Sequence, residues 1–331
     1  MTPVVRGEGR GKPRVVVIGG GTGLSVLLRG LKERPVHISA IVTVADDGGS
    51  SGVLRDELKM PPPGDVRNVL LALADTEPLL ERLLQYRFTN GTGLAGHTVG
   101  NLLIAAMKEI EGDFVRAVKK LSRVLAVRGD VLPAANQAIV LKAEMEDGTV
   151  VTGESKIPQA GKRIRRVWLD PPDVAPLPEA VAALEQADAI VLGPGSLYTS
   201  LLPNLLVPGI VDAIRRSAAV KLYICNVMTQ PGETDGYSAA DHVQALVDHV
   251  GDRLFDYVIV HSGRIPPEVR RRYAQEGKEP VRCDRRRLEA MGYRVIVDQL
   301  AVWHTYLRHN AARLSDHILR IVAQHRQRQD G

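Results

Sequence analysis

Cysteine is scarce. The chain of 331 residues has two, Cys225 and Cys283. Neither belongs to a pair at metal-ligand spacing, which argues against a disulfide framework and against a cysteine-built zinc site. Cys225 stands inside the apolar run VKLYICNV and reads as a buried structural thiol. Aromatic residues are also few, at 4% of the chain. They do not interleave with basic residues, so a stacking platform for single-stranded nucleic acid is not expected. No apolar run approaches the roughly 18 residues that a membrane span needs. The opening stretch MTPVVRGEGRGKPR lacks an apolar core of signal-peptide length. Residues 1–13 are therefore expected to form a flexible leader, residues 14–331 one α/β domain, and the protein is expected in the cytoplasm. The net charge is +5, with basic residues gathered late in EVRRRY, around residues 282–287, and in RQRQ. These clusters read as solvated surface rather than as a nucleic-acid footprint.

What is present is a repeated strand–loop–helix pattern. RVVVIG at residues 14–19 is short, β-branched and continuously apolar, as in a parallel strand buried on both faces. GGGTG follows, and then Leu24, Leu27, Leu28 and Leu31 share one helical face. HISAIVTV supplies a second strand and completes a βαβ unit. DAIVLG, VKLYICNV, DYVIVHS and YRVIVDQL repeat the strand signal, with helical patterns between most of them. This alternation predicts a mostly parallel sheet covered by helices on both faces. Two segments break the rhythm. Residues 65–123 read mainly as helices, and QAIVLKAEMEDGTVVTGES reads as a β-hairpin turning at Asp147-Gly148.

Ligands of open α/β sheets sit beyond the carboxyl ends of the strands, so the polar, glycine-rich loops there are the candidate site. In GGGTGLS, the residues Gly20, Gly21, Thr22, Gly23 and Leu24 open a helix whose unpaired N–H groups suit a phosphate or diphosphate. The loop lacks the sixth glycine of a dinucleotide fingerprint and the Gly-Lys-Ser/Thr of a Walker loop. In VADDGGSSG, Asp46 and Asp47 end the second strand, and Asp65 follows in PPPGDVRN. Carboxylates converging beside phosphates suit a Mg²⁺ ion. Asp65 could equally cap its helix, and Asp46 could be a solvated turn residue. His97 and Asn101, four apart at a helix start, could face one ligand or serve structure alone. In GPGSLYTS, the residues Gly193, Gly195, Ser196 and Thr199 form another phosphate-facing loop, with Ser196 placed to cap a helix. Asn226 and Thr229 are the polar contacts of the next loop, CNVMTQPGET. Ser196 does not sit in Gly-x-Ser-x-Gly, so a hydrolase nucleophile elbow is unsupported.

Taken in order, GGGTGLSVLLRGLK, VTVADDGGSSG, PPGDVRN, GHTVGNLLIAA, GPGSLYTSLLPNLLVPGI, CNVMTQPGETDGYSAADHV and RHN resemble the YvcK proteins, the gluconeogenesis factors of the CofD-like superfamily. The resemblance spans residues 15–321, nearly the whole chain. It implies a Rossmann-like three-layer α/β/α sandwich. It implies a UDP-sugar ligand, notably UDP-N-acetylglucosamine, a role in cell shape and cell-wall synthesis on gluconeogenic carbon sources, protein partners in that synthesis, and a homo-oligomer. It also implies an arginine for the UDP-sugar at Arg308. The related CofD enzymes transfer a phospholactyl-type group from a guanosine diphosphate donor to a deazaflavin with a divalent metal, and their metal-linked acids correspond to Asp47 and Asp65. After those acids the sequence leaves the transferase pattern that continues into the deazaflavin site, while the phosphate-facing loops remain.

The leading expectation is thus a nucleotide-sugar-binding regulator in which ligand orders a loop at residues 48–64. A metal-assisted transferase acting on a nucleotide-diphosphate donor is the alternative. A nicotinamide dehydrogenase is disfavoured by the missing glycine and the long acidic loop.

Overall fold

The apolar run at residues 14–19 lies inside a parallel sheet in the computed structural model, which describes residues 11–303 and 307–330. The strands in chain order are β1 (Arg14–Gly19), β2 (His37–Val42), β3 (Asp130–Pro133), β4 (Val140–Met145), β5 (Val150–Thr152), β6 (Ile164–Asp170), β7 (Ala189–Leu192), β8 (Val220–Ile224), β9 (Tyr257–His261), β10 (Arg294–Asp298), β11 (Ala301–Trp303) and β12 (Leu307–His309). The seven-stranded sheet has the order β10-β9-β8-β7-β1-β2-β3, with neighbouring strands parallel. Both faces of this sheet are covered, so its strands need no polar alternation. Val15 and Val17 enter one hydrophobic cluster, and Val16 and Ile18 enter another.

The helices are α1 (Gly21–Lys32), α2 (Gly49–Leu58), α3 (Gly64–Leu73), α4 (Pro78–Gln85), α5 (Val99–Glu111), α6 (Phe114–Val124), α7 (Pro178–Glu185), α8 (Leu202–Leu205), α9 (Ile210–Arg216), α10 (Ala239–Val250), α11 (Pro267–Gln275), α12 (Arg285–Ala290) and α13 (Ala311–Asp330). Leu24 and Leu28 of α1, Leu70 of α3 and Ile318 of α13 pack with Val15 and Val17. Leu184 of α7, Ile214 of α9 and Leu246 of α10 pack with Val16 and Ile18. This is the expected α/β layering around a mostly parallel sheet. No single described helix is long and apolar enough to cross a membrane. Cys225 is buried, as its apolar setting predicts, and burial pushes its thiol up to about 12.

The hairpin at Asp147-Gly148 forms: β4 pairs antiparallel with β5, and Gly148 takes φ +82° at the turn. It acquires a third strand, β6, and becomes a small antiparallel sheet of order β5-β4-β6. The helical stretch after residue 65 is α3 to α6. Two features differ from expectation. β3 lies beside β2 at the edge of the main sheet, although its four residues carry too short an apolar run to announce a strand. The segment expected to be a loop through residues 48–64 instead contains α2. Its Ser50, Ser51 and Leu54 are buried, and a Cβ on Gly52 would collide with the Asp47 carbonyl. Tertiary packing thereby overrides the low helix propensity of GGSSG. Residues 1–10 of the expected leader lie outside the described residues.

Candidate functional site

From β1 the chain runs outward through β2 to β3, while β7 lies on the other side of β1 and leads to β8, β9 and β10. Strand order therefore reverses between β1 and β7, and a crevice at such a switch point is where open α/β sheets hold ligands. A cleft of about 270 Å³ occupies that position. Gly20, Gly21, Thr22 and Gly23 line it from the loop after β1, Gly195 and Ser196 from the loop after β7, and Asn226 and Thr229 from the loop after β8. The larger cavity of about 740 Å³ sits at the opposite end of the sheet, beside Val220, Tyr257 and Arg294 at the first positions of β8, β9 and β10.

Close backbone approach shapes this cleft. Gly20 precedes α1 in extended conformation and itself brings no side-chain cap. A Cβ at Gly20 would collide with the Asp65 carboxylate and stand 2.8 Å from the Thr43 methyl. A Cβ at Gly23 would come within 3.1 Å of the Pro194 carbonyl, so the loops after β1 and β7 touch there. The Asp65 carboxylate takes the Gly21 N–H, and the remaining free N–H groups at the start of α1 leave donors and a positive dipole end at the cleft. Leu24 turns inward to the core instead of lining the cleft.

Beyond β7 the chain makes a π-helical turn, Leu197–Leu201, before α8. Ser196 precedes that turn without a side-chain cap, and its Oγ accepts a hydrogen bond from Gln230 Nε2 at 2.5 Å. Thr199 is buried and donates to Glu233 Oε1 at 3.0 Å, while Glu233 Oε2 accepts from the Tyr198 N–H. Asn204, fully buried, donates to the carbonyls of Gly19 and Ser200 and so ties this turn to the end of β1. Gly193 stands back from the cleft wall at φ +77°, before Pro194. The Thr229 hydroxyl accepts the Glu279 N–H at 2.9 Å, and the polar side chains of Gln230, Tyr273, Lys278 and His309 also line the cleft. Sequence reasoning missed those four. Tyr273 and Lys278 lie in or beside a basic cluster read as solvated surface, and Gln230 and His309 stand within quoted motifs. Arg308 lies in β12, paired with Val302 in β11, and its side chain is outside the described residues.

Behind the cleft lies an acidic group. Asp65 is within the first turn of α3, which starts after Pro63 with no side-chain cap, so Asp65 is not the cap of its helix. Burial and the negative charge of Asp46 push its carboxyl up to about 7, against the Gly21 N–H, Arg67 and Asn68. Asp46 Oδ1 accepts the Gly48 N–H at 2.9 Å. Asp46 and Asp65 line a second cavity, of about 240 Å³, together with Ser50, Arg67 and Asn101. Asp47 points elsewhere: its Oδ1 accepts the Ser155 N–H at 2.8 Å, beside Gly153. Two further acids carried no sequence signal. Burial, then Asp46 and Asp65, push Glu154 up to about 8, and burial pushes Glu233 up to about 7. Among the described residues no group of three or more His, Cys, Asp or Glu is placed to hold a metal ion.

His97 and Asn101 meet at Ser50 in this second region. Ser50 Oγ lies 2.9 Å from His97 Nδ1, Asn101 Nδ2 donates to Ser50 Oγ at 3.0 Å, and Arg67 Nη1 donates to Asn101 Oδ1 at 3.0 Å. Arg67 also bonds the Thr98 hydroxyl, which caps α5 by accepting the Asn101 N–H.

Residues 15–301 match the family model described as 2-phospho-L-lactate transferase CofD. The chain is 61% identical over 309 residues to a gluconeogenesis factor of Halalkalibacterium halodurans, covering 93% of this chain and 96% of that one. It is 58% identical over 305 residues to a gluconeogenesis factor of Bacillus subtilis, covering 92% and 96%. A crystal structure of a UPF0052 family member from Bacillus halodurans superposes with a TM-score of 0.92 at 60% identity, over 94% of this chain and 100% of the other.

Proposed function

The chain belongs to the CofD family, among its gluconeogenesis factors, and on that premise we propose that it is a regulatory protein that binds a UDP-sugar, UDP-N-acetylglucosamine, in the cleft between β1 and β7. The observation that carries this reading is the cleft's position: glycine loops from two adjacent strands and a helix start converge at the switch point. The diphosphate sits at the start of α1, against Gly21 to Gly23 and the Gly195–Ser196 backbone, where N–H donors and the helix dipole favour negative charge. Asn226 and Gln230 offer amide groups to the nucleoside. Arg308 supplies a charged fork for a phosphate. The protein acts in the cytoplasm as a homo-oligomer, and its liganded state is read by partners in cell-wall synthesis, supporting cell shape on gluconeogenic carbon sources. Titration calorimetry with the UDP-sugar tests the binding. Saturable heat is expected, with Asn226→Ala and Arg308→Ala each weakening affinity at least tenfold, about 1.4 kcal/mol. Absence of heat at millimolar ligand, with and without Mg²⁺, overturns the reading.

A second reading, a metal-dependent transferase on a nucleotide-diphosphate donor, is favoured by the cavity holding both Asp46 and Asp65 directly behind Gly20. Burial first, and then the charge of Asp46, push the Asp65 carboxyl up, and Mg²⁺ commonly takes one or two carboxylates plus phosphate oxygens. Asp65 with Asp46 would hold it; the sequence-implied partner, Asp47, is turned to Ser155. When bound, the ion neutralises charge on the diphosphate. Arg67 faces the same cavity and adds a fixed positive charge. Donor turnover that disappears in Asp65→Asn would establish this reading over simple binding.

A further inference from the structure

The Ser50 hydroxyl is held between two polar side chains, Asn101 and His97. Arg67 can only donate, so the Asn101 oxygen faces Arg67 and the Asn101 amide nitrogen faces Ser50. Asn101 therefore donates to Ser50 Oγ, and in the His97 tautomer that leaves Nδ1 unprotonated the Ser50 proton is directed at Nδ1, 2.9 Å away. A serine hydroxyl within hydrogen-bond reach of an imidazole nitrogen has the nucleophile–base contact of an activated nucleophile. The three side chains are buried, at 5% exposure for Ser50, 8% for His97 and 2% for Asn101. A hydrogen-bonded network in such a place holds its geometry. Ser50 nevertheless borders open space: it lines the 240 Å³ cavity with Asp46, Asp65 and Arg67. That cavity adjoins the nucleotide cleft through Asp65, whose carboxylate lies against Gly20.

We propose that Ser50 is a base-activated nucleophile, with His97 as its base, and that it attacks phosphorus in a ligand reaching the cavity behind Asp65. The nucleophile stands on the geometry of Ser50 alone; its use on a nucleotide sugar rests on the reading above. In that step Ser50 Oγ bonds to the sugar-bearing phosphorus, its proton passes to His97 Nδ1, and the bond from that phosphorus to the bridging oxygen breaks, releasing the nucleoside monophosphate. Water then adds to the same phosphorus and the Oγ–P bond breaks; His97 returns its proton to Oγ, and the proton that the water loses passes to solvent. The net change is nucleotide sugar plus water to nucleoside monophosphate plus sugar 1-phosphate, with no oxidant or reductant. Arg67 is placed to balance charge on the phosphoryl oxygens.

The direct test treats the full chain with a small alkyl fluorophosphonate, which loses fluoride as the Oγ–P bond forms. Intact mass and peptide mapping should show one adduct, on Ser50, absent in Ser50→Ala. His97→Gln and Asn101→Ala should each label at least tenfold more slowly, with thermal melts showing which variants are folded. No adduct on Ser50, or folded His97→Gln and Asn101→Ala labelling at the wild-type rate, overturns the proposal. A parallel arm follows UMP release from UDP-N-acetylglucosamine with Mg²⁺ alongside calorimetry on the same preparation. Release that vanishes in Ser50→Ala supports the phosphorus step. Binding without release overturns that step and leaves the cleft reading standing. Absence of binding overturns the cleft reading, and the adduct arm alone then decides the nucleophile.

Discussion

Gly20 has no room for a side chain because the Asp65 carboxylate and the Thr43 methyl already occupy the space. Gly20→Ala should therefore destabilise the fold by about 1–3 kcal/mol and abolish ligand heat, since Gly20 lines the cleft and Asp65 the cavity behind it. A thermal melt with calorimetry checks both. The acids behind the loop make a pH prediction. Asp65, Glu154 and Glu233 are raised to about 7, about 8 and about 7, against about 4 in an unfolded chain. Between those values the folded state holds protons that the unfolded state has lost. Their contribution is favourable below about pH 4 and declines as pH rises through the window to about 8. Urea melts from pH 5 to pH 8 should show stability falling with pH on their account, with a flatter slope in Asp65→Asn. An unchanged slope would show that Asp65 does not carry a raised carboxyl. The sequence announced Asp65 through PPGDVRN, but Glu154 comes from a distant segment and only folding brings it near Asp65 and Glu233.

At the scale of elements, the region around α2, α3 and α5 is joined by polar side chains. Arg67 of α3 reaches Thr98 and Asn101 at the start of α5, and Asn101 reaches Ser50 in the first turn of α2. Thr98→Ala removes a helix cap and one Arg67 acceptor, and should cost about 1–2 kcal/mol; denaturant unfolding checks it. A helix at α5 was legible from the spacing of Val99, Leu102, Leu103, Ala106 and Met107, but the face it buries is that of Gly100, Asn101, Ile104 and Ala105, and Leu103 is exposed. α2 was not legible, because a segment opening Gly-Gly-Ser-Ser-Gly has little local preference for helix and forms one only when Ser50, Ser51 and Leu54 find buried partners. The expectation of a ligand-ordered loop there gives way to a formed helix whose first turn carries Ser50. β3 was missed for a related reason: pairing with β2, not its own four residues, makes it a strand.

For the whole molecule, the reversal of strand order between β1 and β7 organises the site. The strand–glycine–helix–strand opening and the later apolar runs made the parallel sheet readable, because a strand buried on both faces needs an unbroken apolar run. Which strand neighbours β1 was not readable, since β7 is separated from it by the small antiparallel sheet and most of the helices. That adjacency brings Gly20 to Gly23 against Gly195 and Ser196, and it makes a nucleotide-sugar cleft the account's central claim. Calorimetric titration of UDP-N-acetylglucosamine into the full chain, beside the Asn226→Ala variant, tests it most directly. The account predicts saturable binding by the wild type, weakened at least tenfold in the variant; no heat from the wild type at millimolar ligand, with or without Mg²⁺, would contradict it.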